Sequence, residues 1–179
     1  MLRLTVSGLP GSGTSTLVAL LEETLGIDSM NGGDVFRDEA ARRGLSVQEF
    51  SAVCRAEPEV DRQLDELLKR CMTDQDGPGI VESRLAGWWA LRLELDVHRV
   101  WIEVDEVERM RRIVDREGGA FAERTRENRS RAVSDRRRYL ELYDIDISDL
   151  TPYSIIIDST SLSAAEVSTQ VLNRMEAET

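Results

Sequence analysis

Residues 6–16 read Val-Ser-Gly-Leu-Pro-Gly-Ser-Gly-Thr-Ser-Thr and follow the run Leu2-Arg3-Leu4-Thr5-Val6. The pattern G-x-x-x-x-G-x-[ST] is complete, with Gly8, Gly13 and Ser15. Such a loop curls so that backbone N–H groups point inward at phosphate oxygens. The start of the following helix adds its positive end. Gly8, Leu9, Pro10, Gly11, Ser12, Gly13, Thr14, Ser15 and Thr16 are therefore the candidate ATP site. The hydroxyl of Ser15 stands where these loops hold Mg²⁺, while Thr14 occupies the place of the lysine that reaches the β- and γ-phosphates.

The context suits a phosphate loop. A strand precedes it, and an amphipathic helix follows, with Leu17, Leu20, Leu21 and Leu25 on one side and Glu22-Glu23 outside. Further apolar runs at 79–81, 100–104 and 154–157, with a short one at 27–30, predict strands. Helical patterns fill the intervals at 14–25, 34–43, 46–56, 58–72, 85–94, 106–116, 120–143 and 164–176. Ser46-Val-Gln-Glu49 and Ser163-Ala-Ala-Glu166 are capping boxes that mark two helix starts. Short buried strands alternating with longer helices predict an α/β fold, a parallel sheet covered on both faces. Ligands of such sheets sit at the strands' carboxyl ends. The loop at 8–15 and residues Glu82, Ser83 and Arg84 fall there. Residues 33–78 insert three helices before strand 3, and residues 117–145 form a long helical excursion before strand 5. Insertions of this kind commonly serve as lids and clamps.

The chain has 179 residues, enough for one domain with a sizeable core. Its 34 acids against 23 bases leave a net charge of −11, which speaks against nucleic-acid or membrane-surface binding. Lys69 is the sole lysine. A high-salt environment and a GC-rich genome both account for that bias. No apolar run approaches the ~18 residues of a membrane helix, and with a strand expected from residue 2 no signal peptide is expected. Cys54 and Cys71 lack metal-ligand spacing, and His98, expected in a loop, has no partner for a zinc site. Two reduced thiols in a cytoplasmic protein are expected. Trp88, Trp89 and Trp101 read as core or wall residues.

The acidic average hides a basic segment. Residues 109–138 carry eleven arginines and five acids. Arg131, Asp135 and Arg138 share one helical face, whereas Arg136 lies off it. An ordinary solvated helix with pairs such as Glu127–Arg131 explains the pattern as well as a phosphate clamp does. The missing loop lysine favours the clamp, because guanidinium groups grip phosphate bidentately.

Several stretches together resemble one family, the archaeal type of cytidylate kinase. They are 8–16, Gly-Gly-Asp-Val-Phe-Arg at 32–37, Arg-Gly-Leu-Ser-Val-Gln-Glu-Phe at 43–50, and Glu-Ser-Arg-Leu-Ala-Gly-Trp at 82–88. The run Arg-Arg-Tyr-Leu-Glu-Leu-Tyr-Asp-Ile-Asp-Ile-Ser-Asp-Leu at 137–150 and Ile-Ile-Ile-Asp-Ser at 155–159 complete the set. Ser83 departs from the family, which has glycine there. The resemblance implies a P-loop kinase with strand order 2-3-1-4-5, and a single domain of core 1–32, 79–116 and 146–179. Its nucleoside-monophosphate-binding insertion is 33–78 and its lid 117–145. It implies Mg²⁺-dependent phosphoryl transfer from ATP to CMP or dCMP by a cytoplasmic monomer. Gly33, Asp34, Arg37 and Arg84 then meet the acceptor, and Arg131, Asp135 and Arg138 act from the lid, with Arg84, Arg131 and Arg138 catalytic. Ser15 and Glu82, the latter through water, then serve the metal. A kinase of AMP or UMP, or a nucleotide-binding paralogue without catalysis, are the alternatives.

Overall fold

The computed structural model describes residues 1–177. Five parallel strands form one sheet: β1 (Leu4–Gly8), β2 (Ser29–Asn31), β3 (Ile80–Glu82), β4 (His98–Glu103) and β5 (Ile155–Asp158), in the order β2-β3-β1-β4-β5. The helices are α1 (Thr14–Leu25), α2 (Gly32–Arg42), α3 (Val47–Ala56), α4 (Pro58–Thr73), α5 (Ala86–Arg92), α6 (Glu106–Glu117), α7 (Phe121–Tyr143) and α8 (Ala164–Ala177).

β1 shows why both faces must be covered. Leu4 and Val6 point into one core layer with Leu17, Leu21 and Val18 of α1 and Val167, Val171 and Met175 of α8. Thr5 and Ser7 point the other way, and the small side chains let α5 approach β1 closely. On that face Trp89, Ala86 and Leu85 pack with Val81, Leu68, Met72, Ile145 and Ile147. A third, separate core of Ala40, Phe50, Cys54 and Val60 holds the three inserted helices together. The C-terminal half of α4 joins the main core instead, through Leu68 and Met72.

Both capping boxes form: Ser46 with Glu49, and Ser163 with Glu166. The sequence misplaces several boundaries. β1 starts at Leu4, so Leu2 is buried without being in the strand. His98 is not a loop residue but opens β4, because it pairs in register with Leu4. β3 and β5 run one residue further than their apolar cores, to Glu82 and Asp158, since ladder pairing to Val6 and Glu103 continues there. α2 begins two residues early, because Asn31 accepts from the N–H groups of Gly33 and Asp34 and caps it. Among the described residues no helix is long and apolar enough to cross a membrane.

Candidate active site

The loop at 8–16 leaves β1 and enters α1 as its spacing requires. Ser12 N–H bonds to the Leu9 carbonyl at 3.1 Å, closing a turn around Pro10 and Gly11. Gly11 and Gly13 both have φ of +85°, a conformation that costs other residues dearly. A Cβ on Gly11 would also lie 2.5 Å from the Arg109 carbonyl, so the loop packs tightly on α6. The first turn of α1 carries no acid and no side-chain cap. Its N–H groups are thus left to meet an anion. Arg109 and Arg112 of α6 brace the loop from behind, donating to the carbonyls of Pro10 (3.1 Å) and Ser12 (3.4 Å).

Glu82 ends β3 beside this loop, and it is buried. Its Oε1 accepts from Thr14 Oγ1 at 2.5 Å and Ser15 Oγ at 3.2 Å. Its Oε2 accepts from Asn31 Nδ2 at 2.6 Å. Burial raises the pKa of this carboxyl, and the three hydrogen bonds oppose the rise. Asn31 is a member that the sequence reading missed. It stands opposite Glu82 in the ladder and its Oδ1 caps α2, so one side chain ties the carboxylate to the first inserted helix. A polar residue at the carboxyl end of a strand is the only local signal for it.

Two residues past Glu82, the chain delivers Arg84 to a charged cluster on α7. Arg84 Nη1 pairs with Asp135 Oδ2. Arg138 Nη2 lies 3.3 Å from Asp135 Oδ1, and Arg131 Nε lies 3.9 Å from Asp135 Oδ2. The helical face read from the sequence is therefore real, and Asp135 is its hub. The members differ in exposure. Arg131 is 61% exposed, whereas Arg138 and Asp135 are 18% and 10% exposed. Arg136 points away and pairs with Asp146. Glu127 pairs with Arg124 at 3.0 Å instead of forming the Glu127–Arg131 pair of a solvated helix. That leaves Arg131 turned to Asp135. Burial, together with the nearby Arg131 and Arg138 charges, lowers the pKa of Arg84, which stays a cation.

Asp34 and Arg37 face each other on the exposed side of α2, 2.5 Å apart, with Gly33 against the same guanidinium. The structure thus assembles Thr14, Ser15, Asn31 and Glu82 at the loop, and Arg84 with Arg131, Asp135 and Arg138 of α7. Arg37 and Asp34 form a third group on α2. Asp61 and Asp65 of α4 are further polar residues that sequence reading did not single out. Asp61 Oδ2 lies 3.2 Å from Arg138 Nε. Asp65 accepts from Tyr143 Oη and Trp89 Nε1 at 2.5 and 3.3 Å.

A glycine loop between β1 and α1, within a sheet ordered 2-3-1-4-5, defines a P-loop kinase fold. Comparison with known proteins agrees. A family model described as an AAA domain matches residues 7–135. A gluconokinase structure from Sinorhizobium meliloti 1021 superposes with a TM-score of 0.63 at 14% identity, covering 98% of this chain and 92% of that one. Sequence similarity narrows the class. The cytidylate kinase of Archaeoglobus fulgidus is 39% identical over 98% of this chain and 95% of its own length. That of Methanococcoides burtonii is 40% identical over 88% of this chain and 87% of its own. The chain belongs to the cytidylate kinase family.

Proposed function

We propose that this protein transfers the γ-phosphoryl group of ATP to CMP or dCMP, giving ADP and CDP or dCDP. The observation that supports it most is the convergence of Arg84, Arg131 and Arg138 on one point, two residues along the chain from the Glu82 that touches the phosphate loop. Phosphoryl transfer needs little covalent chemistry from a protein. It needs alignment of two phosphates and positive charge where their oxygens crowd together.

In this reading the loop amides of residues 8–14 bind the donor phosphates. Ser15 and Glu82 offer a hydroxyl and a carboxylate 3.2 Å apart, hard oxygen donors of the type Mg²⁺ prefers. Ser15 would hold the ion directly and Glu82 through water. Bound with ATP, Mg²⁺ neutralises charge on the phosphate oxygens. Arg37 and Arg84 grip the acceptor phosphate, with Gly33 and Asp34 lining its entrance. An acceptor phosphate entering the cluster replaces Asp135 as the anion that the guanidinium groups face. Arg131 and Arg138 then face the transferring group, supplying the charge that a loop lysine would supply in place of Thr14. The acceptor phosphate oxygen attacks the γ-phosphorus as the bond to the β-phosphate oxygen breaks.

The same reading takes 33–78 as the acceptor-binding insertion and 117–145 as the lid, in a cytoplasmic monomer. Cys54 and Cys71 are free, in keeping with a reducing compartment. Phosphoryl transfer measured with each common nucleoside monophosphate is the test. Turnover of CMP and dCMP supports the proposal, and ATP hydrolysis unaffected by any monophosphate overturns it.

A further inference from the structure

Two carboxylates one turn apart on α4 both reach α7, and they do so differently. Asp65 binds the Tyr143 hydroxyl and the Trp89 indole, neither of which belongs to the arginine cluster. Asp61 Oδ2 lies 3.2 Å from Arg138 Nε, a buried ion pair whose two atoms make no hydrogen bond. With Asp61 on that side, Nη2 of Arg138 lies 3.3 Å from Asp135 Oδ1 and donates to the Tyr139 hydroxyl at 3.1 Å. The Tyr139 ring lies 4.9 Å from the guanidinium carbon. Asp61 and Asp135 are both buried. A buried carboxylate is costly without a cation, and a buried guanidinium is costly without a carboxylate. Asp61 and Arg138 thus each keep the other in place, across the boundary between two separate insertions in the sheet protein. When a phosphate takes the Nη end of Arg138 from Asp135, the Nε contact to Asp61 can persist.

We propose that Asp61 is a positioning residue for phosphoryl transfer, fixing the guanidinium of Arg138 so that its Nη end faces the reacting phosphates. This rests on the reading of Arg138 as a phosphate-binding arginine. Asp61 itself touches no nucleotide. Its effect is orientation, so it belongs in kcat and not in nucleotide affinity.

The test compares Asp61→Asn, Asp61→Glu, Asp65→Asn, Arg138→Ala and the double variant Asp61→Asn/Arg138→Ala, by kcat, KM for both nucleotides and thermal midpoint. Misplacing a reacting-group partner by an ångström costs on the order of 10²-fold, so Asp61→Asn is expected to lower kcat by roughly 10- to 100-fold with KM held within about threefold. Asp65→Asn, at a carboxylate bound to Tyr143 and Trp89 and not to the arginine cluster, is expected to keep kcat within about threefold whatever its thermal midpoint, which separates positioning from a merely structural tie. Asp61→Glu should fall between the parent and Asp61→Asn. The double variant should be no slower than Arg138→Ala alone, as expected of two residues acting through one contact. An unchanged kcat in Asp61→Asn beside a crippled Arg138→Ala overturns the positioning role and leaves the reading of Arg138 intact. So does a double variant in which the two losses multiply. An unchanged kcat in Arg138→Ala overturns the underlying reading instead. Should Asp61→Asn fail to fold, Asp61→Glu decides: a lower kcat at the parent's thermal midpoint supports the role, and a parental kcat overturns it.

Discussion

Thr14 Oγ1 donates to Glu82 Oε1 at 2.5 Å, joining the phosphate loop to the end of the neighbouring strand. In loops with lysine at this position the side chain is a free cation that reaches out to the phosphates. Threonine is too short for that and turns to the carboxylate. The loop thus keeps its shape and loses its charge, which the proposed function assigns to the arginines of α7.

Thr14→Ala is expected to be mild. It removes one of three hydrogen bonds to Glu82, with Ser15 and Asn31 remaining. The cost to donor use should be at most about 2 kcal/mol, the scale of one hydrogen bond to a charged group. Ser15→Ala, which removes the proposed metal-binding hydroxyl, should weaken Mg²⁺-ATP use far more. Steady-state kinetics with varied Mg²⁺-ATP check both. Inactivity of a folded Thr14→Ala protein contradicts the account.

The helical face of α7 sets a second expectation. Arg138→Ala and Arg131→Ala should each lower kcat by roughly 10²-fold or more with much smaller changes in ATP binding, because arginines that meet the transferring group act mainly in the transition state. Arg136→Ala should be near neutral. It breaks only an exposed pair with Asp146, a type of contact worth about 0–1 kcal/mol. Measured kcat and nucleotide Kd for the three variants decide. Equal damage from Arg136→Ala contradicts the assignment of faces.

Asp65 sets a pH dependence of stability. Burial pushes its carboxyl up to about 6, against the hydrogen bonds from Tyr143 and Trp89. In the unfolded chain the same group ionises near pH ~4. Between those values the folded state keeps a proton that the unfolded state has lost. Stability from this group is therefore full below pH ~4, declines as pH rises to about 6, and is level above that. At ~1.4 kcal/mol per pH unit the total is about 3 kcal/mol at most. Urea unfolding of the parent and Asp65→Asn across pH 4–7 should show that slope in the parent and its loss in the variant. Parallel curves refute the assignment.

Gly87 opens α5 against Tyr153, whose hydroxyl reaches the Arg84 carbonyl at 3.5 Å and whose ring packs on Trp101. A Cβ there would lie 2.2 Å from the Tyr153 ring. Gly87→Ala should destabilise the protein by about 1–3 kcal/mol, the usual cost of overpacking. It should also reduce activity, because Tyr153 supports the segment carrying Arg84. Urea denaturation and an activity assay test both, and parental values in each contradict the packing argument.

The loop at 8–16 was legible in the sequence because its chemistry is local: glycine spacing, a strand before and a helix after. Arg131, Asp135 and Arg138 were legible for a related reason, since helical periodicity places them on one face without knowledge of the fold. Asn31, Asp61 and Asp65 were not. Asn31 meets Glu82 across 51 residues, and Asp65 meets Tyr143 across 78. Nothing in the run Pro-Glu-Val-Asp-Arg-Gln-Leu-Asp at 58–65 separates the buried Asp61 and the half-buried Asp65 from the solvated acids of an amphipathic helix. Only docking of α4 against α5 and α7 draws them away from water. The strand ends escaped for the same reason, because Glu82 and Asp158 are polar and join the ladder through their neighbours.

Acceptor choice tests the central claim most directly. Coupled assays at fixed Mg²⁺-ATP with CMP, dCMP, UMP, AMP and GMP should give kcat/KM for CMP and dCMP well above those for AMP and GMP. Turnover of AMP equal to or better than that of CMP would contradict the account while leaving the P-loop kinase fold in place.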